Sequence, residues 1–551
     1  MRILNYHIIC LVTIWIYCPD TSTAQETVFS GLGSNLKRAN WYYKNESYQS
    51  ALQLYLEIEE KGKGGDEIYL NLARTCYQLN LTGQVVKWYE KYLSSNDSLG
   101  PSDTYLLAES LISQGYYQQA ITWLKKCQSH DPDNPDIIKK IWRLQNIHHL
   151  YADSSYFEVH PVDLNTEFAE FGPALVEQSL VFVSNRKEKG GISKIDQVTG
   201  LPFQSLYSAD LVYDSISGRP ILGKPVLFLK EKSNGLHLGT ITIAQDRLIF
   251  TRALVDRNSG KSVLQLFLVD KNGHSWKEET AFQHNSTEYS LSHPSLSSDG
   301  NILYFVSDMP GGLGGNDLYE SHWTGREWAT PVNLGELINT RGDETAPFIH
   351  RDKTLYFASN GHGGFGGLDI FRIFIDGDYP AEVENLGFPV NTSKDDFGFI
   401  LNMDGTRGFM ASNRRSGGFN DDLYEVVVDL QSYPLIISGL VRYSDPDWAE
   451  PGRQDILPNA NLWLVDNLRN ASVYQTTSDD QGRFSLEIPY SSRYRLNVSH
   501  KQIGELTVSL EIPKNRKLYT DHEIVVVKEK FKEDLEGQTL DTVEKRKKEK
   551  R

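Results

Sequence analysis

The hydrophobic pattern changes period twice along this chain. From residue 34 to about 155, apolar residues recur at the 3.6-residue spacing of amphipathic helices. Within that stretch Ala39, Ala73 and Ala108 share one place, Ala51, Val85 and Ala120 a second, and Tyr55, Tyr89 and Leu124 a third, at steps of 34 and 35 residues. Small residues let paired helices approach, an aromatic fills the gap behind them, and Asp131-Pro132 stops the last helix of the third copy. The pattern predicts three helix pairs and an end helix over about 135–150. From about Tyr156, short β-branched and aromatic runs alternate with Gly, Asp and Asn, which predicts strands and turns. A second β pattern runs from Pro434 to about Val527, with Ala460-Asn461-Leu462-Trp463-Leu464-Val465 alternating toward a buried face. Past Lys528 the chain is charged and nearly free of apolar residues, the composition of a solvated, disordered tail.

The middle stretch repeats itself. Ser307-Asp308-Met309-Pro310-Gly311-Gly312-Leu313-Gly314-Gly315-Asn316-Asp317-Leu318-Tyr319 recurs as Ser359-Asn360-Gly361-His362-Gly363-Gly364-Phe365-Gly366-Gly367-Leu368-Asp369-Ile370-Phe371. It recurs in frayed form from Ser412-Asn413 through Gly417-Gly418 to Asp422-Leu423-Tyr424, the steps being 52 and 53 residues. A period of about 40–50 residues with short strands marks propeller blades. Apolar strands ending at Ser184-Asn185, Thr251-Arg252, Ser307-Asp308, Ser359-Asn360 and Ser412-Asn413 predict five blades. A following strand should open near Asp210-Leu211, Gln265-Leu266-Phe267, Asp317, Asp369 and Asp422 in turn. Insertions such as Lys187 to Gln204 lengthen the first two blades and are the place to look for partner specificity.

The glycine loop suggests two ligand chemistries, and its context answers both. A phosphate cradle opens a helix and carries a following Lys, whereas strands flank this loop. A calcium roll needs Asp where Asn316 and Leu368 stand. The glycines of the signature are therefore expected to supply positive φ, and its aspartates to cap the turn.

At 551 residues the chain exceeds one core, so three or four domains are expected. A net charge of −16 with no basic stripe in the folded middle excludes a general nucleic-acid binder. Met1-Arg2, an apolar run from Ile8 to Tyr17 too short to span a bilayer, and Ser22-Thr23-Ala24 predict a signal peptide over 1–24 and export. Cys18 is lost with it, leaving Cys76 and Cys127 at apolar helical positions, as core hydrophobes without a disulfide framework or a cysteine metal site. No Gly-x-Ser-x-Gly elbow or His-Glu-x-x-His helix occurs, and His148-His149 is adjacent rather than four apart. The acid pairs Asp395-Asp396 and Asp421-Asp422 lie beside turns, and Asp479-Asp480 fits a hairpin. On these residues the chain is expected to be no enzyme and to carry no cofactor or metal.

The 34-residue helical period resembles tetratricopeptide repeats. That resemblance implies an α-solenoid whose groove, lined by the first helix of each repeat, would present Asn40, Lys44, Asn71, Arg74, Tyr77, Gln78, Tyr105 and Glu109 to a protein partner. Asn40 and Asn71 match the asparagines of the family's two-carboxylate clamp, but Leu36, Ser102 and Leu106 stand at its basic positions, so that activity is not implied. The blade signature resembles the PD40 type of WD40-like repeat found in TolB and in many Bacteroidetes envelope proteins. The Asp479-x-x-Gly482-x-Phe484 hairpin resembles a carboxypeptidase-regulatory-like sandwich. Together these give a multidomain chain, α then β: signal peptide 1–24, tetratricopeptide solenoid 34–155, five-bladed β-propeller 156–432, small β-sandwich 433–528 and charged tail 529–551. That order resembles the PorE type of protein in the type IX secretion apparatus of Bacteroidetes. It implies a periplasmic scaffold or adaptor at the outer membrane that binds envelope proteins, such as a PorP/SprF-like barrel. The family's peptidoglycan-gripping OmpA-like domain has no counterpart in the residues here, so cell-wall binding is not implied. The alternatives are a glycan-binding propeller for nutrient capture and a TolB-like envelope-integrity protein.

Overall fold

The structure is a computed structural model. It describes residues 34–151, 157–187, 201–215, 218–229, 237–255, 262–272, 275–375, 383–416, 420–428, 435–444, 450, 453–466, 471–488, 493–511 and 524–529. The expected signal peptide, most of the charged tail, and Gly417 and Gly418 of the third signature copy lie outside these residues. A helical region is followed by a β-rich one, and no helix of the described residues is long and apolar enough to cross a membrane.

Seven α-helices occur among the described residues: α1 (Asn35–Lys44), α2 (Tyr48–Ile58), α3 (Asp66–Gln78), α4 (Thr82–Leu93), α5 (Pro101–Ser113), α6 (Tyr117–His130) and α7 (Pro135–Gln145). They pack as the pairs α1–α2, α3–α4 and α5–α6, with α7 against α6. Ala39, Ala51, Ala73, Val85, Ala108 and Ala120 are fully buried where paired helices meet, and Tyr55, Tyr89 and Leu124 fill the space behind them. Pro101 and Pro135 each open a helix, where the missing N–H would be unpaired anyway. Asn134 caps α7 by accepting from the Asp136 and Ile137 N–H groups. Cys76 and Cys127 are buried, and burial pushes their thiols up to about 12 and about 11.

The β-rich region begins with five antiparallel sheets. Their first strands are Glu170–Val176, Leu238–Ala244, Leu291–Leu296, Glu344–Ile349 and Asp396–Leu401. The second strands are Ser179–Ser184, Arg247–Val255, Ile302–Ser307, Thr354–Ser359 and Arg407–Ser412. The third are Ser205–Tyr213, Ser262–Asn272, Asp317–His322, Asp369–Phe374 and Asp422–Val428. Short outer strands complete the first four sheets. The outer strand of the fifth is Phe157–Pro161, so the beginning and the end of this stretch share one sheet. Each first strand carries a bulge, at Phe171/Ala174, Leu238/Ile241, Ser292/Ser295, Thr345/Phe348 and Phe397/Ile400.

One expected strand start is corrected. The third strand of the first sheet opens at Ser205, opposite Ser184, and Asp210 pairs with Ser179 at its far end. The insertion before it replaces the glycine loop, so no capping aspartate marks where the strand begins.

Two further four-stranded sheets lie in a second compact unit, separate from the one that holds the helices and the five sheets. In one, Leu435–Ser444 pairs with Asp455–Ile456, with Arg483–Ile488 and, in parallel, with Ile524–Glu529; the other runs in the order Ala471–Thr477, Asn461–Asp466, Arg493–His500, Gly504–Glu511. Val441, Leu462, Leu464, Leu486, Leu496 and Val498 are buried. Gly439 pairs with Phe484, whose ring occupies the space a Cβ would need. Asp479 Oδ1 accepts from the Gln481 and Arg483 N–H groups at 2.8 Å each, so this carboxylate serves the hairpin.

Candidate functional site

The residues expected along the helical groove are largely bonded to neighbouring helices. Arg74 of α3 forms two parallel bonds to the buried Asp103 of α5, at 2.8 and 2.7 Å, and the Tyr89 hydroxyl donates to the same carboxylate at 2.8 Å. Lys140 of α7 bonds Glu109 at 2.7 Å and the Tyr105 hydroxyl at 3.1 Å. Asn40 accepts from Tyr55 at 2.6 Å, and Tyr77 is packed in the helical core. Lys44 is exposed at the end of α1, and Asn71 and Gln78 are half-buried on α3. Sequence reasoning missed Asp103 and Lys140. Their only signal was an acid and a base placed a helix or two away from the residues they hold.

The glycine signature forms a repeated hydrogen-bonded turn. Asp317 accepts from Leu313 N at 2.5 Å and Gly314 N at 3.1 Å, and Asp369 likewise from Phe365 N and Gly366 N at 3.2 Å. A Cβ at Gly312 or Gly364 would enter that carboxylate. One at Gly314, Gly315, Gly366 or Gly367 would strike the loop leading into the next sheet, and Gly311 and Gly363 have φ of 99° and 80°. Asp308 accepts from Ser290 N at 2.6 Å, Asn360 from Asp343 N at 2.8 Å and Asn413 from Asp395 N at 2.9 Å. Each polar residue after a strand-ending serine thus pins the loop before its own sheet. Asp422 is buried opposite Ser412 at the start of its strand, and burial raises its pKa.

A second repeat lies in those connecting loops and escaped the sequence reading. Asn165, Asn285, Asn339 and Asn391 each accept from one strand residue's N–H and donate to its C=O, at Leu423, Leu266, Leu318 and Ile370. Each is followed by Thr or Ser. In three of the four an acid stands four residues beyond that hydroxyl residue, and in the Asn285 copy Ser290 takes its place. Those acids, Glu170, Glu344 and Asp396, are fully buried at the start of a first strand. Arg186 pairs with Glu170 at 3.1 Å, and Arg414 pairs with Asp396. In the fourth sheet Gly361 stands where those arginines do. Glu344 there accepts from Ser359 Oγ, Thr340 Oγ1 and Thr340 N at 2.6–2.7 Å, and burial pushes its carboxyl up to about 7.

The helical region is clamped to this sheet. Arg143 of α7 donates to the Gly361 carbonyl at 3.0 Å and lies against Gly363. Asn80 donates to Asp395 at 3.0 Å, and Phe388 N to the Leu150 carbonyl at 2.9 Å. Tyr151 meets Phe365 edge-on at 4.8 Å and lies 5.5 Å from Phe388. Burial lowers Arg143 to about 10 and also lowers Lys139, which feels the Glu344 charge. Helix α7 therefore brings two cations to the sheet whose buried acid, Glu344, has no arginine partner. Its exposed side carries Ile138 and Trp142, one turn apart and 44% and 64% exposed.

The five first strands enclose a cavity of about 370 Å³. Its wall is mainly apolar: Pro173, Ile241, Ile243, Pro294, Phe348, Phe397 and Phe399 are among the lining residues. Two hydroxyls that border it are engaged between sheets, Thr242 accepting from Leu296 N at 2.9 Å and Ser295 from Ile349 N at 3.0 Å, whereas the buried Thr240 hydroxyl has no partner among the described residues. His293 and His350 line it with Arg351. No cluster of three or more His, Cys, Asp or Glu that could hold a metal occurs among the described residues.

No protein-family model matches this sequence, and no curated protein matches it. Among solved structures it is similar to the RS223 β-xylosidase, at 13% identity over 49% of this chain and 94% of that one, with a TM-score of 0.32. An endo-arabinase from Bacteroides thetaiotaomicron matches at 11% identity over 49% and 96%, TM-score 0.32. A putative TolB from Agrobacterium tumefaciens matches at 12% identity over 61% and 97%, TM-score 0.26. The expectation that this chain is no enzyme is corrected by these matches. Glycoside hydrolases are among the structures it resembles.

Proposed function

We propose that the chain is an envelope adaptor that binds a protein partner through the exposed face of α7. We read the helices as tetratricopeptide repeats and the five sheets as the blades of a PD40-type β-propeller, closed by Phe157–Pro161. The observation that carries the proposal is the exposed Ile138–Trp142 pair on a helix whose Arg143 is fixed to the fourth sheet. Tryptophan dominates binding energy at interfaces, and a helix held on a rigid support loses little freedom on docking. The partner is a component of an outer-membrane complex of the type IX secretion kind, such as a PorP/SprF-like barrel, reached from the periplasm. Affinity capture from envelope membranes tests this. Wild type should retain an outer-membrane protein, and Ile138→Ser with Trp142→Ala should lose it by tenfold or more, as hot-spot removal does. Equal capture by the double variant would sink the proposal.

A further inference from the structure

The cavity inside the five sheets contains a residue that its backbone position disfavours. The bulge in four of the first strands puts one residue in the left-handed region: Gly172 at φ 59°, His293 at 50°, Ala346 at 46° and Gly398 at 63°. In the first and fifth sheets that residue is glycine, which adopts the conformation without strain. In the third it is a histidine, followed by Pro294, and an L side chain there is strained. The bulge imposes this conformation on whatever residue stands there, as Ala346 shows in the fourth sheet, and in the third it holds an imidazole at the cavity. The imidazole is nine-tenths buried and borders the cavity. Its Nδ1 lies 2.9 Å from Ser292 Oγ, and among the described residues no group is bonded to its Nε2. With the serine hydroxyl donating to Nδ1, the neutral ring carries its proton at Nε2 and has a donor to offer.

The surroundings narrow what would accept that proton. None of the described residues lining the cavity is acidic, and the ionisable ones are His293, His350 and the exposed Arg351. His350 is already held, its Nε2 lying 3.1 Å from the Asn402 carbonyl. An all-basic lining is notable in a chain of net charge −16. The Thr242 and Ser295 hydroxyls are engaged between the sheets, and most of the wall is hydrocarbon, which suits a ligand with an apolar body. The volume falls within the ~300–1,000 Å³ of small-molecule sites. We infer that the cavity binds a small carboxylic acid with an apolar body, its carboxylate accepting from His293 and facing Arg351 at the mouth. This site is independent of the α7 surface.

Calorimetric titration of the full chain tests the inference, with decanoate, decanol and a leucine-terminated tripeptide with a free carboxylate as probes. Decanoate, the tripeptide or both should bind, and decanol should bind at least tenfold more weakly. Binding of decanoate alone would identify a lipid-derived acid, and binding of the tripeptide alone a peptide end. His293→Gly should weaken binding about tenfold or more, the loss expected for a hydrogen bond to a charged group. His293→Asn, which tolerates the same φ and keeps a donor, should retain part of it. Hydrogen exchange of Leu291–Leu296 should stay protected in both variants, since the first and fifth sheets already fold with glycine there. No binding by either acid, equal binding of decanol, or unchanged binding in a protected His293→Gly would overturn it.

Discussion

At the residue scale, the same buried acid position is solved in two ways. Glu170 and Asp396 have an arginine from their own sheet, whereas Glu344 relies on two hydroxyls and one N–H. A buried carboxylate without a paired cation keeps its proton, which is why Glu344 titrates near 7 rather than at the usual 4.5. The sign of the pH effect follows. Between about 4.5 and about 7 the folded state holds a proton that the unfolded chain has released, so this group's contribution to stability falls as pH rises and levels off above that window. The full effect is on the order of 3 kcal/mol at 1.36 kcal/mol per unit. Glu344→Gln, neutral at every pH, should match wild type near pH 4.5 and be the more stable by pH 8. Urea unfolding of both chains across that range checks it; parallel curves would show that Glu344 is ionised in the folded protein.

At the scale of elements, the glycine loop of the fourth sheet has a second use. It caps its own turn through Asp369, and it also receives the end of the helical region through Arg143 and Tyr151. Gly363 serves both, because its φ of 80° suits glycine and a Cβ there would collide with the Arg143 guanidinium. Gly363→Val should therefore free α7 and the following turn while leaving the fourth sheet's strands paired. Hydrogen exchange over residues 135–151 should accelerate about tenfold or more, the factor that corresponds to roughly 1.4 kcal/mol of lost local stability. Unchanged exchange there would mean that the clamp lies elsewhere.

At the scale of the whole molecule, the five sheets are joined end to end by a segment far from its partner in sequence. Phe157–Pro161 lies on the outside of the fifth sheet, and Asn165 bonds both backbone groups of Leu423 at 2.9 and 2.8 Å. The Leu423 carbonyl also accepts from Val162 N at 3.2 Å, so loss of the Asn165 side chain leaves the part-buried Leu423 N–H unpaired, at about 1–3 kcal/mol. Asn165→Ala should thus lower the stability of the first and fifth sheets together, by roughly 1–3 kcal/mol. Exchange measured over both 170–184 and 407–428 reads this out, and a response confined to the residues near 165 would show that closure adds little.

The helix pairs were legible because Ala39, Ala73 and Ala108 repeat a packing requirement that is local to each pair. The third and fourth sheets were legible because Asp317 and Asp369 cap turns within four residues of themselves. Where the capping aspartate was lost, as before Ser205, the reading slipped along the strand. The connecting asparagines went unseen because each acts on a strand about 19 to 21 residues back or, for Asn165, on one near the far end of the sheets. The amino-acid sequence by itself determined the periods, the turns and the order of helices and sheets, since these depend on contacts between near neighbours. Only the tertiary structure decided that Arg143 meets the sheet whose buried acid has no arginine partner, that Phe157–Pro161 joins the fifth sheet, and that five bulged strands enclose His293. Each of these is a meeting of residues distant along the chain, settled by packing and charge rather than by local pattern.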